Sequence, residues 1–431
     1  MTNVYTADQQ VLIDEYIKFI LDPARPVFVI NGRPGCGKTF MVKPLIEKTE
    51  EITQFLSTLL KDDNTLNVVL TATTNKAAEV LSEKTGIQAS TIHSFLGLRV
   101  FNDYSTGKSK ISTTNSYSIV SNTIVFIDES SMADAELLKF IYKSTVNCKV
   151  VFILDKNQVL PVFSSTVPLM DKYNVDVDLK NIVRQAALPN GGVSSIITYA
   201  HQLSDAIEAK TKNIPQVPDT PEIIHLSAQD FKQKLIDSFN EPDSEHKYKI
   251  VAWTNKRVHK YNAFIRGLKH STDLIEVGEF LVSNDTYTGV ADSVIIKNEE
   301  EVYVTDASPV MKYKNTNIDF QYLHVRTKNK VIHKIMRPVD FEQVITLSKA
   351  YQKAKNWVLY FELKSDLLDL RPVHACTVHK SQGSTYDSVF IDLDDICSNN
   401  KIDEVKRLIL VAITRASNKV YVRGAIPNKY L

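Results

Sequence analysis

At 431 residues with 43% hydrophobic side chains, the chain is too long for one small domain and can bury two or more cores. Lys and Arg number 51 against 50 Asp and Glu, which excludes a global basic field that grips phosphate backbones indiscriminately, so any nucleic-acid site must be a local groove. The cysteines Cys36, Cys148, Cys376 and Cys397 lie far apart with no C-x-x-C pair, against a zinc site or disulfide framework and in keeping with a reducing compartment. No apolar run approaches the ~20 residues that span a bilayer. The start "MTNVYTADQQ" lacks the basic and apolar regions of a signal peptide, so the expectation is a soluble cytoplasmic protein that does not engage a membrane.

In chain order, "PVFVIN" reads as a buried strand, and "GRPGCGKT" follows at once as G-x-x-x-x-G-K-[ST]. Gly32, Gly35 and Gly37 let the backbone fold tightly and turn N–H groups towards a polyphosphate at the start of the next helix. Lys38 supplies a point charge to the β- and γ-phosphates, and the Thr39 hydroxyl is placed to ligate Mg²⁺. Pro34, Cys36 and Phe40 complete the nucleotide-binding stretch. The bland alternative is a glycine turn with a surface lysine. Beside Lys38 and a helix N-terminus, the Cys36 thiol is expected to have a lowered pKa and raised reactivity. Pro44 falls early in the helix, which should kink or restart there.

"VVLTA" reads as the next strand. "LRVFNDYSTGKSKISTTNSYSIV", residues 98–120, alternates, turns at "STGK" and alternates again, as a β-hairpin would. "NTIVFIDESSM" ends a strand in paired acids: Asp128 to hold Mg²⁺ and Glu129 to polarise a water, or else two solvated acids. "VVFIL" closes the run. Strands ending in polar loops with helical stretches between them suggest an α/β domain over residues 1–170, its sites at the carboxyl ends of a parallel sheet. A second domain is expected over 171–267 and 349–431, with "NIPQVPDTPEI" as a proline-punctuated loop. Residues 268–348 read as short strands with turns, suited to a small β-barrel. No internal repeat or low-complexity tract is found.

The segments "VVLTATTNKAAEVL", "ASTIHSFLGL", "VVFILDKNQVLPV", "LKNIVRQ", "VAWTNKRVHKYNAFIR", "ACTVHKSQGSTYDSVFIDL" and "LILVAITRAS" follow in order. With the P-loop and "FIDES" they resemble the motif series of superfamily 1 DNA helicases, above all the RecD branch and its small phage Dda-type members. The likeness runs from about Tyr5 to Val422 and thins between Gly267 and Tyr351. It implies two RecA-like domains with ATP between them and single-stranded DNA across their top, with an SH3-like barrel inserted in the second.

On that resemblance Gln9 is the adenine-reading glutamine, with Gln10 as fallback and a solvated helix residue as the plain alternative. Asp155 and Gln158 match the segment that senses the γ-phosphate. Leu154 stands where the family has glycine. Arg184 and Arg415 match arginine fingers, which stabilise charge in the transition state, although either could sit in a surface salt bridge. Thr74, Lys76, Thr91, His93, Thr254, Asn255, Thr377 and His379 match the DNA track, where the commoner role of a Ser, Thr or Asn is to cap a helix. Gln382 and Gly383 match the loop linking that track to the nucleotide, and Thr385 replaces a frequent acidic residue. Related helicases carry a strand-separating pin at the hairpin, for which Phe101, Tyr104 and Tyr117 are candidates, Tyr104 nearest the turn. Packing of these aromatics onto the domain is the alternative.

The implied activity is an ATP- and Mg²⁺-dependent DNA helicase acting on single-stranded and forked DNA in replication, recombination or repair. The resemblance favours 5′ to 3′ movement by a monomer in the host-cell cytoplasm if the source is a phage, with a single-strand-binding protein or replisome components as possible partners. A translocase that remodels protein–DNA complexes, a P-loop kinase or nucleotide switch, and a nucleic-acid-binding module using ATP structurally are the rivals.

Overall fold

The first helix, Ala7–Leu21, begins where a capping box dictates: the Thr6 side chain accepts from the Gln9 amide, while the Gln9 side chain accepts from the Thr6 amide. Its buried face, Leu12, Tyr16 and Phe19, packs into an aromatic cluster with Phe28 and Phe126. The structure is a computed structural model that describes residues 5–60, 66–103, 108–160, 166–183, 194–288 and 294–430.

The chain divides into two units, one formed by residues 1–99, 113–228 and 381–431 and the other by 100–112 and 229–380. In the first unit a six-stranded sheet runs in the order Val177–Leu179, Val27–Gly32, Lys149–Leu154, Thr123–Asp128, Asn67–Ala72, Ala89–Thr91. Every pairing is parallel, so the carboxyl ends of all strands share one edge. Val27–Gly32 and Thr123–Asp128 are buried along their whole length, as expected of strands covered on both faces. Three further parallel strands, Ile223–Leu226, Ala416–Arg423 and Tyr386–Asp392, lie in the same unit. The helix Ile402–Ile413 packs against Ser195–Glu208. The helix Lys38–Leu60 runs without interruption through Pro44, so the expected restart does not occur. What proline removes there is one backbone N–H, which would have bonded the Phe40 carbonyl.

In the second unit, Tyr248–Ala252 pairs parallel with Ala375–Thr377 under the helix Asn255–Lys269. An antiparallel sheet joins Leu370–Pro372, Phe280–Ser283, Glu301–Ala307 and Asp319–Arg326, with Ile332–Pro338 also pairing to the last. Leu281, Val304, Leu323, Val325 and Ile335 fill its core. Leu98–Asp103 and Lys108–Thr113 form a two-stranded sheet. At its base Gly97 adopts φ +64°, and a Cβ there would lie 2.6 Å from the backbone of Ser116. The Thr114 amide and hydroxyl both donate to the Gly97 carbonyl at 2.8 Å.

Candidate active site

The first unit brings the P-loop residues, Asp128, Glu129, Asp155 and Gln158 to the carboxyl edge of its six-stranded sheet. Gly35 and Gly37 take φ of +81° and +78°, the left-handed backbone that lets the loop wrap tightly. The Lys38 ammonium donates to the Gly32 carbonyl at 2.5 Å and the Arg33 carbonyl at 3.3 Å, and stands 3.9 Å from the Asp155 carboxylate. The Thr39 hydroxyl donates to Asp128 at 3.3 Å. Gln9, buried, donates to the Cys36 carbonyl at 3.3 Å, which sets its amide against the loop. Gln10 is exposed and bonds Asp14. The Pro34 carbonyl faces the His201 ring nitrogen at 3.3 Å, and Phe40 is exposed.

Asp128 is buried and accepts from the Glu129 amide at 2.8 Å. Glu129 takes left-handed φ 52°, ψ 35°, a strained conformation for a side-chain-bearing residue. The Thr73 hydroxyl donates to its carbonyl at 2.9 Å. Burial raises the pKa of both acids, and the Asp128 charge raises Glu129 further, while Lys38 and Arg415 pull Glu129 back. Glu129 Oε2 is buried with no hydrogen-bond partner, a carboxylate oxygen available for an incoming donor such as water.

Asp155 is buried, and the Gln158 amide donates to it at 3.3 Å. Gln382 in turn donates to the Gln158 side chain at 3.4 Å, its own Oε1 buried and unpartnered. Gly383 takes φ +76°, and a Cβ there would lie 3.5 Å from Ala77 at the start of the helix Asn75–Thr85. Arg415 is buried and donates to the Val411 and Ser384 carbonyls, each at 3.1 Å. Arg184 lies outside the described residues, although Val183 just before it donates its amide to the Gly35 carbonyl at 2.9 Å.

The track candidates divide between the units. In the first, Thr74 and Thr91 cap helices by accepting from Ala77 and Ser94, Lys76 pairs with Glu79, and burial lowers the pKa of His93 against the pull of Asp134. In the second, Thr254 caps the helix Asn255–Lys269 and the Asn255 side chain accepts from Arg371 at 2.8 Å. Thr377 accepts from the Lys380 amide at 3.3 Å, and His379 opens a short 3₁₀ turn. The capping role weighed for these hydroxyls is therefore present. Tyr117 is half-buried and its hydroxyl bonds Ser144 at 3.0 Å. Phe101 lies on the first hairpin strand, and Tyr104 lies outside the described residues.

One expectation is reversed. Cys36 is fully buried, and its thiol is pushed up to about 11 because desolvation outweighs the nearby Lys38 ammonium. Two residues went unnoticed in the sequence. Arg33, inside the P-loop, is buried and pairs with Asp205 at 2.8 Å and Glu208 at 3.1 Å. Arg407 donates to the carbonyls of Lys156 and Gln158. Among the described residues no group of three or more His, Cys, Asp or Glu is arranged to hold a metal, and no helix is long and apolar enough to cross a membrane.

Residues 5–217 match the AAA domain family and residues 372–423 the UvrD-like helicase C-terminal domain family. The chain is 23% identical over 502 residues to an uncharacterised protein of Acanthamoeba polyphaga mimivirus, covering 97% of this chain and 99% of that one. It is 25% identical over 435 residues to the ATP-dependent DNA helicase Dda of enterobacteria phage T4, covering 91% and 93%. The Pif1 helicase from Bacteroides, crystallised with ADP-AlF3 and single-stranded DNA, shares the α/β fold with parallel sheets at a TM-score of 0.50 and 16% identity, over 99% of this chain and 94% of its own.

Proposed function

We propose a mechanism from the premise that the chain is a superfamily 1 helicase of the RecD/Dda type and works as an ATP-dependent DNA helicase. What supports it is the convergence in one unit of Lys38, Thr39, Asp128, Glu129, Asp155, Gln158, Gln382 and Arg415. Lys38 binds the β- and γ-phosphates in the cradle formed by Gly32, Pro34, Gly35, Cys36 and Gly37, and Gln9 reads the base beside Phe40. Thr39 and Asp128 are hard oxygen donors 3.3 Å apart, a pair suited to Mg²⁺ completed by phosphate and water. When bound, the ion neutralises charge on the β- and γ-oxygens.

Glu129 orients the attacking water and takes its proton, the task that its unpartnered oxygen and raised pKa fit. Arg415, with Arg184, stabilises charge developing on the transferred phosphoryl group. Asp155 and Gln158 sense the γ-phosphate and pass its state through Gln382 and Gly383 to a DNA track that includes Thr74, Lys76, Thr91, His93, Thr254, Asn255, Thr377 and His379. Two RecA-like domains, 1–170 and 171–267 with 349–431, would carry these parts, with residues 268–348 as an SH3-like barrel and the hairpin as the pin. Movement is 5′ to 3′ by a monomer on single-stranded and forked DNA, in replication, recombination or repair, alongside single-strand-binding or replisome proteins.

The test is ATP turnover with and without single-stranded DNA, followed by unwinding of duplexes tailed at either end. Acceleration by DNA and unwinding from a 5′ tail are expected. Unwinding from a 3′ tail alone would reverse the polarity, and DNA-stimulated turnover without unwinding would favour a translocase.

A further inference from the structure

The helix Ile402–Ile413, which leads into Arg415, carries a second arginine that the mechanism above does not use. Arg407 Nη1 donates to the Lys156 carbonyl at 2.5 Å and the Gln158 carbonyl at 2.9 Å. These carbonyls bracket Asn157 in the turn that follows the strand Lys149–Leu154. In the same turn Asp155 accepts from the Asn157 amide at 3.0 Å and from the Gln158 side chain at 3.3 Å. Arg407 is half-buried, with burial lowering its pKa and the Asp155 charge opposing that shift.

Two carbonyls that converge on one guanidinium nitrogen are fixed in direction, and with them the backbone from which Asp155 and Gln158 project. Other groups hold the turn elsewhere: the Asn31 side chain accepts from the Lys156 amide at 2.9 Å, and Glu208 accepts from the Asn157 side chain at 2.8 Å. Among these holds, only that of Arg407 comes from the helix that leads into Arg415. A displacement of that helix moves the grip on the turn and the finger arginine together.

We propose that Arg407 is a positioning residue that sets the Asp155–Gln158 turn through its two carbonyls and ties the geometry of that turn to the helix bearing Arg415. This rests on the reading of Asp155 and Gln158 as the nucleotide-sensing segment. Arg407 does not touch nucleotide. Its loss lowers kcat for ATP hydrolysis while KM for ATP stays nearly constant, because the binding cradle is intact and only the alignment of the sensing side chains relaxes.

The experiment measures DNA-free and DNA-saturated ATP turnover for Arg407→Gln, Arg407→Lys, Gln158→Ala and the Arg407→Gln/Gln158→Ala pair, with thermal melting as the check on folding. Arg407→Gln should lose about tenfold to a hundredfold in kcat, the scale of a misplaced catalytic group. Arg407→Lys should recover most of it, since an ammonium still donates to both carbonyls. The double variant should be no slower than the slower single, within about twofold, because both changes act on one turn. Multiplying effects, equal loss in the Lys and Gln variants, or an unchanged kcat would overturn the proposal. Where Arg407→Gln melts early, Arg407→Met keeps the aliphatic stem and replaces it in the same cycle. Absence of DNA stimulation in the unaltered protein would instead sink the helicase reading, and the cycle on DNA-free turnover still decides Arg407.

Discussion

Glu129 holds a left-handed backbone conformation, a raised pKa and one unpartnered buried oxygen, a costly state of the kind that clusters at functional sites and fits the role proposed for it. Glu129→Gln should therefore retain ATP binding and lose about a hundredfold in turnover, the contribution of a positioned base, whereas Lys38→Ala should weaken nucleotide binding itself. Near-normal turnover in the Gln variant would remove Glu129 from the chemistry. Cys36 behaves oppositely to its sequence context. With a thiol pKa near 11 it stays protonated at neutral pH, so alkylation followed by mass spectrometry should modify it far more slowly than in the unfolded chain. Equal rates would contradict its burial. His374 is buried with an unpartnered Nδ1, packs edge-on against Phe239, and burial lowers its pKa from 6.5 to about 3. Between those values the unfolded chain binds a proton that the folded chain refuses, so stability is complete above pH 6.5 and falls as pH drops, by about 1.4 kcal/mol per unit. Denaturant titrations at pH 7 and pH 5 should show a shallower loss in His374→Phe than in the unaltered protein. Parallel pH slopes would refute this. The residues legible in the sequence, Lys38, Thr39, Asp128 and Glu129, are those whose chemistry is written within a few positions of a strand. Arg407 and Arg33 were not legible. The acceptors of Arg407 are backbone carbonyls some 250 positions away, and the acidic partners of Arg33 sit on the distant helix Ser195–Glu208. Neither kind of partner leaves a mark in local sequence. The Cys36 shift was misjudged because the neighbouring lysine is visible in a sequence and desolvation is not.

At the scale of elements, the expected strands "VFVIN", "VVLTA", "TIVFID" and "VVFIL" are all present, since an unbroken apolar run bounded by polar turns admits little else in a doubly covered sheet. The paired strands Leu98–Asp103 and Lys108–Thr113 were legible from their alternation, but what anchors their base was not. Gly97 needs its positive φ and the bare space beside Ser116. Gly97→Ala costs about 1–2 kcal/mol for the left-handed backbone alone, before the contact with the Ser116 backbone is relieved. Faster hydrogen exchange at the Thr114 amide, which donates to the Gly97 carbonyl, is the expected local signature. Unchanged protection there would mean that the base relaxes freely. Pro44 teaches the converse: a helix that buries Met41, Val42, Leu45 and Ile46 gains enough from packing to run on past one missing N–H, so tertiary context overrides a local breaker.

At the scale of the molecule, the first unit is assembled from three stretches, 1–99, 113–228 and 381–431, and the last of them supplies Gln382 and Arg415. A chain ending at Lys380 should lose ATP turnover while purified fragments are compared at equal concentration, and turnover that survives would remove both residues from the mechanism. The strand Ile223–Leu226 pairs with Ala416–Arg423, so it leaves the ribosome almost two hundred residues ahead of its partner. At about 5–20 residues per second that edge waits on the order of ten seconds or more before it can close. During this interval the nascent polypeptide holds the P-loop without Arg415. On the role proposed for that arginine, nucleotide uptake is expected to precede the capacity to hydrolyse it.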